Sequence, residues 1–360
     1  MESSVNPAAL TVALLSVVIL PWAYQLINWL WLTPKRLERS LKQQGLKGGS
    51  YRVLHGDMKE NMKLMQEARS KPINLSENII PRLHPYVDQC LRTYGRNSIM
   101  WLGPIPSILL TEPELIKTVF NKISEFHRPM SNPLVRLLNT GLVSYDDDKW
   151  VKHRKLMNPA FHSEKIKNML PAFYLSSAEM VKKWEKLVSE EEPCEIDVWP
   201  DLQSMTKDVI SRNAFGSSYE EGKRIFELQK ELLSLVMQVS MSVYIPGWSF
   251  VPTKTNRRLK KLNRDIETSL RAIINKKEKA MTEGKTASDD LLGLLIESNW
   301  RETKGNKNDK TSGMTVEEVI EECKLFYFAG QDTISILLVW TMILLSQYQE
   351  WQERARDEVL

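Results

Sequence analysis

The sequence predicts a mainly α-helical body with a small β-sheet, preceded by one transmembrane helix. Three observations predict it. Residues 8–32 carry no charge, the segments after Pro113 mostly repeat their apolar residues with a helical period, and two apolar runs between Ser98 and Thr111 are punctuated by Pro104 and Pro106 like a hairpin.

Residues 8–32 read AALTVALLSVVILPWAYQLINWLWL, 25 residues in all. At ~1.5 Å per residue that is enough to cross a ~30 Å hydrocarbon core. A secretory leader needs a basic start and a shorter apolar stretch; only Glu2 precedes this run, which favours a retained anchor. Pro21 is placed to kink the helix, and Trp22, Tyr24, Trp29 and Trp31 are rings suited to headgroup depth. Lys35, Arg36, Arg39 and Lys42 follow at once, and the positive-inside rule keeps that flank cytoplasmic. Residues 1–7 are then lumenal and everything after the anchor faces the cytosol. Residues 33–50, basic and then glycine-rich at Gly45, Gly48 and Gly49, read as a linker, and residues 51–360 as the body.

Composition excludes some classes. Hydrophobic residues at 42% and charged residues at 26% are ordinary for a globular chain, and nothing in the composition points to disorder. A net charge of +4 permits an anionic membrane surface or an acidic partner, but is too weak to support nucleic-acid binding. Cys90, Cys194 and Cys323 are odd in number and far apart, which argues against a disulfide framework and for a reducing compartment.

Within the body, Pro113 opens the helix PELIKTVFNK, and further helices are expected over Ile166–Leu187, Leu202–Phe215, Ile225–Ser242 and Arg257–Met281. Loops are expected at Thr282–Ser288 and Arg301–Gly313. The basic helix Thr255–Lys279 mixes its cations with Asp265, Glu267 and Glu278, the pattern of a solvated face. Met241–Pro252, MSVYIPGWSFVP, reads either as a buried connector or as a substrate-entry loop touching the membrane.

The most informative helix starts at Thr315. Thr315 and Glu318 form a capping box, and Glu317, Glu318, Glu321 and Glu322 place negative charge at the positive end of the dipole. The pattern continues to about Ser346 and from Leu325 onward is apolar on nearly every side, so burial all round is expected. Leu325–Leu345 is also long enough for a second membrane crossing. Asp332 argues against that, because a carboxylate near mid-bilayer costs roughly 2.5–3.5 kcal/mol. In Ala329-Gly330-Gln331-Asp332-Thr333, a mid-helix glycine gives up ~1 kcal/mol of propensity and invites a close approach, such as that of a ligand. Asp332 and Thr333 together are a proton-relay pair, with Thr333 able to bond back to the Ala329 carbonyl. The plainer reading is a satisfied polar pair. Trp150 and Arg154 in WVKHR stand at i and i+4, where an indole N–H and a guanidinium reach one carboxylate; a surface stack is the plainer alternative.

The first motif resembles the oxygen-binding signature of cytochromes P450, Ala/Gly-Gly-x-Asp/Glu-Thr, and the second resembles that family's WxxxR pair. Resemblance extends through PRLHPYVDQCLRTYG, FHRP (Phe126–Pro129), MTKDVISRNAFGSSYEEG, DDLLGLLIESN and EWQERARDEVL, and points to the plant 72 family. It implies the P450 fold, in incomplete form, and a haem-thiolate monooxygenase. Ala329 and Gly330 would make room for dioxygen, Asp332 and Thr333 would deliver protons, Trp150 and Arg154 would hold the haem propionates, and Arg128 would assist them.

The same resemblance implies an endoplasmic-reticulum membrane anchor, electrons from NADPH through NADPH-cytochrome P450 reductase docked near Lys149, Lys152 and Lys155, and a small apolar substrate such as a terpenoid. It also places the ExxR pair and the haem-ligating cysteine beyond Leu360. Cys323 lies ten residues before Thr333, about 15 Å along the axis, too far to serve the same iron. No metal ligand is therefore assigned, and the chain alone is expected to be inactive; a non-catalytic truncated membrane protein or two-span scaffold is the rival reading.

Asn74 lies in the sequon Asn74-Leu75-Ser76. The cytosolic topology predicts that it carries no glycan: endoglycosidase treatment of the chain expressed in microsomes leaves its gel mobility unchanged, whereas a mobility shift places the body in the lumen.

Overall fold

Helix is what this sequence builds almost everywhere, and the exceptions are short. The computed structural model describes residue 17 and residues 20–122, 124–129, 132–138, 140–188, 194–217, 219–285, 290–305 (304 and 305 by backbone alone) and 313–360. These divide into two compact units, Met1–Phe126 with Gln238–Trp248, and His127–Met237 with Ser249–Leu360.

In the first unit, residues 20–27 are helical and pass through one π-helical turn, Asn28–Leu32, into α1 (Thr33–Gln43). Most of the expected anchor, residues 8–16 with 18 and 19, lies outside the described residues. The basic flank is less positive than it reads, because the buried Glu38 binds Lys35 and Lys42, each at 2.8 Å. Burial alone would raise the Glu38 carboxyl; the two ammonium groups outweigh it and hold the pKa down to about 2. The glycine-rich stretch expected as a flexible spacer is pinned, since Gly48 bridges to Ile99 and the Ile99 N–H donates to the Lys47 carbonyl at 2.8 Å.

Helices α2 (Met58–Ser70), α3 (Ile80–Leu83) and α4 (Pro85–Tyr94) then lead to the hairpin. Strands β1 (Ile99–Leu102) and β2 (Ile105–Ile108) pair antiparallel with Leu102 opposite Ile105, so Gly103-Pro104 forms the expected tight turn. The buried Asp57 carboxylate accepts the Trp101 N–H at 2.7 Å, and the Asp57 N–H donates to the Trp101 carbonyl at 2.9 Å. Trp101, Tyr51 and Ile99 form the small core beneath, and α5 (Pro113–Asn121) follows as expected.

The second unit is a helical assembly: α6 (Asp147–Met157), α7 (Ser163–Asn168), α8 (Leu170–Glu185), α9 (Trp199–Phe215), α10 (Tyr219–Ser240), α11 (Lys254–Thr282), α12 (Leu291–Gly305), α13 (Val316–Gln347) and α14 (Gln349–Val359). The single helix expected over Ile166–Leu187 is divided at Met169, because Pro171 has no N–H with which to continue the ladder. The loop expected from Arg301 starts later, since α12 runs on to Gly305; residues 306–312 lie outside the described residues. Helix α11 buries Leu259, Leu262, Ile266, Leu270 and Ile274 on one side and turns its charges to water, the solvated face that its pattern predicts.

Helix α13 begins at the predicted capping box: the Glu318 N–H donates to Thr315 Oγ1 at 3.2 Å, and the Thr315 N–H to Glu318 Oε2 at 3.0 Å. Its expected burial on all sides does not occur. Val319, Ile320, Cys323, Tyr327, Gln331 and Ser335 are buried, while Ile336, Leu337 (60% exposed), Trp340, Ile343 and Leu344 are open. The reason is that packing by α9 and α11 covers one side only. The Met241–Pro252 segment likewise is no buried connector: Ile245, Trp248 and Phe250 (83% exposed) stand out, and only Ser249 is inside.

Helix α9 passes close over Gly330 of α13. A Cβ built there would lie 2.5 Å from Cγ1 and 2.9 Å from Cβ of Ile210. Replacing Gly330→Val is expected to destabilise the chain by about 1–3 kcal/mol, the usual cost of overpacking, read as a lowered urea midpoint; an unchanged midpoint refutes the close approach.

Candidate active site

The candidate site is built on α6 and α13. Asp146 stands at the N-cap position of α6, and Trp150 and Arg154 stand one turn apart on the helix, the indole half-buried and the guanidinium exposed. Among the described residues neither side chain has a protein hydrogen-bond or ion-pair partner. A donor pair left open in this way suits an anion that is not part of the protein.

The other side of α6 is tied to the head of α13. His153 Nδ1 meets Glu322 Oε1 at 2.7 Å, and Glu322 Oε2 accepts the Leu142 N–H at 3.0 Å. The Tyr145 hydroxyl donates to Glu321, whose backbone carbonyl accepts Thr140 Oγ1 at 3.2 Å. Burial, and then the hydrogen bond to Glu321, push the Tyr145 hydroxyl well above its ordinary pKa, so it remains a donor. Of the four glutamates expected to complement the dipole, Glu318 caps the helix and Glu317 binds Arg271 at 2.9 Å; Glu321 and Glu322 belong to this network instead.

On α13, Ala329 and Thr333 lie on the open side, and Thr333 Oγ1 donates back to the Ala329 carbonyl at 2.7 Å, as its position predicted. Counting from Glu322, both fall within roughly 20° of the same line along the helix. Helix α6 thus covers the start of a stripe that Ala329, Thr333 and Trp340 continue bare. Asp332 sits off this line, half-buried, and accepts from Gln203 Nε2 at 3.1 Å. Lys207 stands nearby; burial lowers its ammonium pKa and the Asp332 charge partly restores it.

A family model described as Cytochrome P450 matches residues 75–360. The chain belongs to the cytochrome P450 family. Its relatives set it with the plant 72 group of these oxidoreductases, the monooxygenases. It is 53% identical to Cytochrome P450 72A15 of Arabidopsis thaliana over all of this chain and 69% of that protein. Cytochrome P450 CYP72A219 of Panax ginseng is 53% identical over 97% of this chain and 67% of its own length. Secologanin synthase 2 of Catharanthus roseus is 50% identical over 97% of this chain and 66% of its own. A solved structure of retinoic acid bound cyanobacterial CYP120A1 shares the fold, with a TM-score of 0.56, 19% identity, and coverage of 75% of this chain and 57% of that one.

The P450 sequence motifs therefore fall on the two helices that the His153–Glu322 pair joins. Two expected site residues are engaged otherwise. A side chain at Gly330 would meet Ile210, so the glycine lets α9 approach closely, and Ala329 is the exposed member of the pair. Arg128 donates to the carbonyl oxygens of Leu142 and Tyr145 and lies 3.8 Å from Asp146; it braces the loop that leads into α6. Sequence reasoning missed His153, Glu322, Gln203 and Lys207. The signal for the first was available, since a histidine beside the WxxxR arginine falls on the inner side of α6. Two cavities of the second unit, about 360 Å³ beside Asp201, Asp208 and Arg212 and about 410 Å³ beside Phe215, Lys276 and Lys277, are lined by other residues.

The three cysteines of this P450 chain stand in different settings. Cys323 is buried, and burial pushes its thiol far up; Cys90 is buried in the first unit, and Cys194 is exposed. Among the described residues no three His, Cys, Asp or Glu side chains gather as a metal site. A maleimide at pH 7 is expected to label Cys194 alone in the folded chain, with Cys90 and Cys323 reacting only after denaturation; mass mapping that finds Cys323 labelled early overturns its exclusion.

Proposed function

We propose that this chain carries the propionate-binding and oxygen-side helices of a plant haem-thiolate monooxygenase that hydroxylates a small apolar metabolite such as a terpenoid. The observation that carries the reading is the pair of unpartnered donors, Trp150 and Arg154, on the helix fixed to the head of a bare apolar stripe. The open donors fit a haem, whose carboxylates Trp150 and Arg154 would hold; when bound, the group would supply dioxygen activation.

The chain's own residues then have defined roles. Trp150 Nε1 and the Arg154 guanidinium orient the carboxylates and neutralise them, while Arg128 steadies the approach to α6. Ala329 keeps the open side of α13 low, and Gly330 lets α9 close behind it. Thr333 Oγ1, now donating to the Ala329 carbonyl, would give its proton to the ligand on that side. It would regain one from Asp332, which Gln203 holds in place and which would itself take a proton from solvent. Electrons arrive from NADPH through NADPH-cytochrome P450 reductase, with Lys149, Lys152 and Lys155 as cationic contacts for an acidic partner. Residues 8–32 anchor the protein once in the endoplasmic-reticulum membrane with the body in the cytosol, and the exposed Trp248 and Phe250 suit a surface that admits apolar substrate.

The chain spans 69% of Cytochrome P450 72A15, and in this reading the axial cysteine comes from outside that span. A rival reading makes α13 a second membrane span, and its length and mean hydropathy of 1.6 are sufficient. Against it stand Asp332, which lies inside Leu325–Leu345 and accepts from Gln203 Nε2 at 3.1 Å, and the buried polar Gln331 and Ser335 of the same stretch.

The test is a carbon-monoxide difference spectrum. No thiolate-type band is expected from the chain alone, and a clear one from the chain extended with the remaining C-terminal part of the Arabidopsis thaliana relative. A band from the chain alone refutes its inactivity; a folded fusion with no band refutes the monooxygenase reading.

A further inference from the structure

Neither the His153 imidazole nor the Glu322 carboxylate it meets has any exposed surface, and nothing in the chemistry above uses them. An ionised carboxylate buried without partners costs several kcal/mol, so a site that keeps one must supply donors. Here the donors are His153 Nδ1 and the Leu142 N–H. The loop carrying that N–H turns at Gly141, where φ is +68° and a Cβ would lie 2.7 Å from Glu322 Oε2. Only glycine combines that backbone with that approach.

The remaining neighbours of His153 come from three elements. The Tyr145 ring stands edge-on at 4.5 Å, Glu318 Oε1 lies 3.6 Å from Nε2, and Lys149 and Lys152 reach Glu318 at 3.2 and 4.0 Å. The 3.6 Å to Glu318 is longer than a hydrogen bond, and Nε2 is buried without a hydrogen-bond partner. The imidazole is therefore directed by its one hydrogen bond, Nδ1 to Glu322, more than space-filling requires.

That direction matters because of where His153 lies. On α6 it is roughly 60° around from Trp150 and 100° from Arg154. Fixing its ring fixes the rotation of the helix and the heading of both open donors. On α13 its partner Glu322 lies on the line of Ala329 and Thr333, about 10 and 16 Å before them. One contact thus sets the donors of one helix against the bare stripe of the other.

We infer that His153 is a positioning residue: through Glu322 it holds α6 at the rotation in which Trp150 and Arg154 grip a carboxylate of a tetrapyrrole lying on α13. The inference rests on the reading that these two side chains bind haem carboxylates.

The experiment compares spectral titrations of the full 360-residue chain in lipid nanodiscs with haemin and with haemin dimethyl ester, whose carboxylates are blocked. The proteins are the parent chain, His153→Leu, which keeps the volume, His153→Asn, whose Nδ2 reproduces the Nδ1 donor, and Gly141→Ala, which displaces Glu322 without touching α6. The parent is expected to prefer haemin by roughly tenfold, the worth of one charged hydrogen bond. The preference is lost in His153→Leu and Gly141→Ala, retained in His153→Asn, and affinity for the ester is the same in all four. A parent without preference overturns the carboxylate reading and the inference with it. A parent preference that survives in His153→Leu or Gly141→Ala, or that falls equally in Leu and Asn variants, overturns the inference alone. Should His153→Leu fail to fold by circular dichroism, Gly141→Ala decides.

Discussion

The close crossing of α9 over α13, where Ile210 takes the space that Gly330 leaves, is the contact on which the second unit depends. Around it Thr206 Oγ1 donates to the Gln331 carbonyl at 3.1 Å, and Tyr327 is stacked on Phe215 at 4.1 Å and edge-on to Phe226 at 4.9 Å. Each aromatic pair contributes about 0.5–1.5 kcal/mol beyond its buried area. Because α13 is a rigid rod, drawing its 327–331–335 side inward turns the 329–333 side outward. The packing that makes the core also selects which residues are left facing a ligand.

A second theme is how the unit tolerates charge inside. Lys324 is buried on α13, which lowers its ammonium pKa, yet its Nζ reaches Asn263 Oδ1 at 2.5 Å. Glu322 has a histidine and a backbone amide, and Asp332 has a glutamine. Each group stands where a second helix or loop must be placed, so the polar contacts give direction where apolar packing gives only adhesion. Breaking one leaves its partner buried and unpaired, a penalty larger than the bond's net worth.

Much of the fold was legible in the sequence because it is local. The capping box at Thr315, the hairpin around Gly103-Pro104 and the apolar repeat of α11 are settled by neighbours in the chain, and the structure bears them out. The relatives bear out the family that the WxxxR and AGQDT motifs indicated. What failed was whatever depends on distant partners. Apolar composition foretold burial of α13 on every side, but burial needs a neighbour, and Leu337 and Trp340 are only partly covered among the described residues. A mid-helix glycine announced close approach without saying by what, and Ile210 is 120 positions earlier in the chain. Glu322 looked like one more acid in a helix's first turns because nothing local distinguishes a carboxylate facing water from one facing His153.

One phenol in the first unit has a mechanical consequence. The Tyr51 hydroxyl donates to the Leu30 carbonyl at 2.7 Å and accepts the Leu54 N–H at 3.0 Å, while its ring rests on Trp101 of the hairpin. The end of the N-terminal helix and the strands are thereby stapled together. Where that helix is fixed, the hairpin shares its tilt and rotation like a pennant on a mast, rather than swinging from it as on a tether.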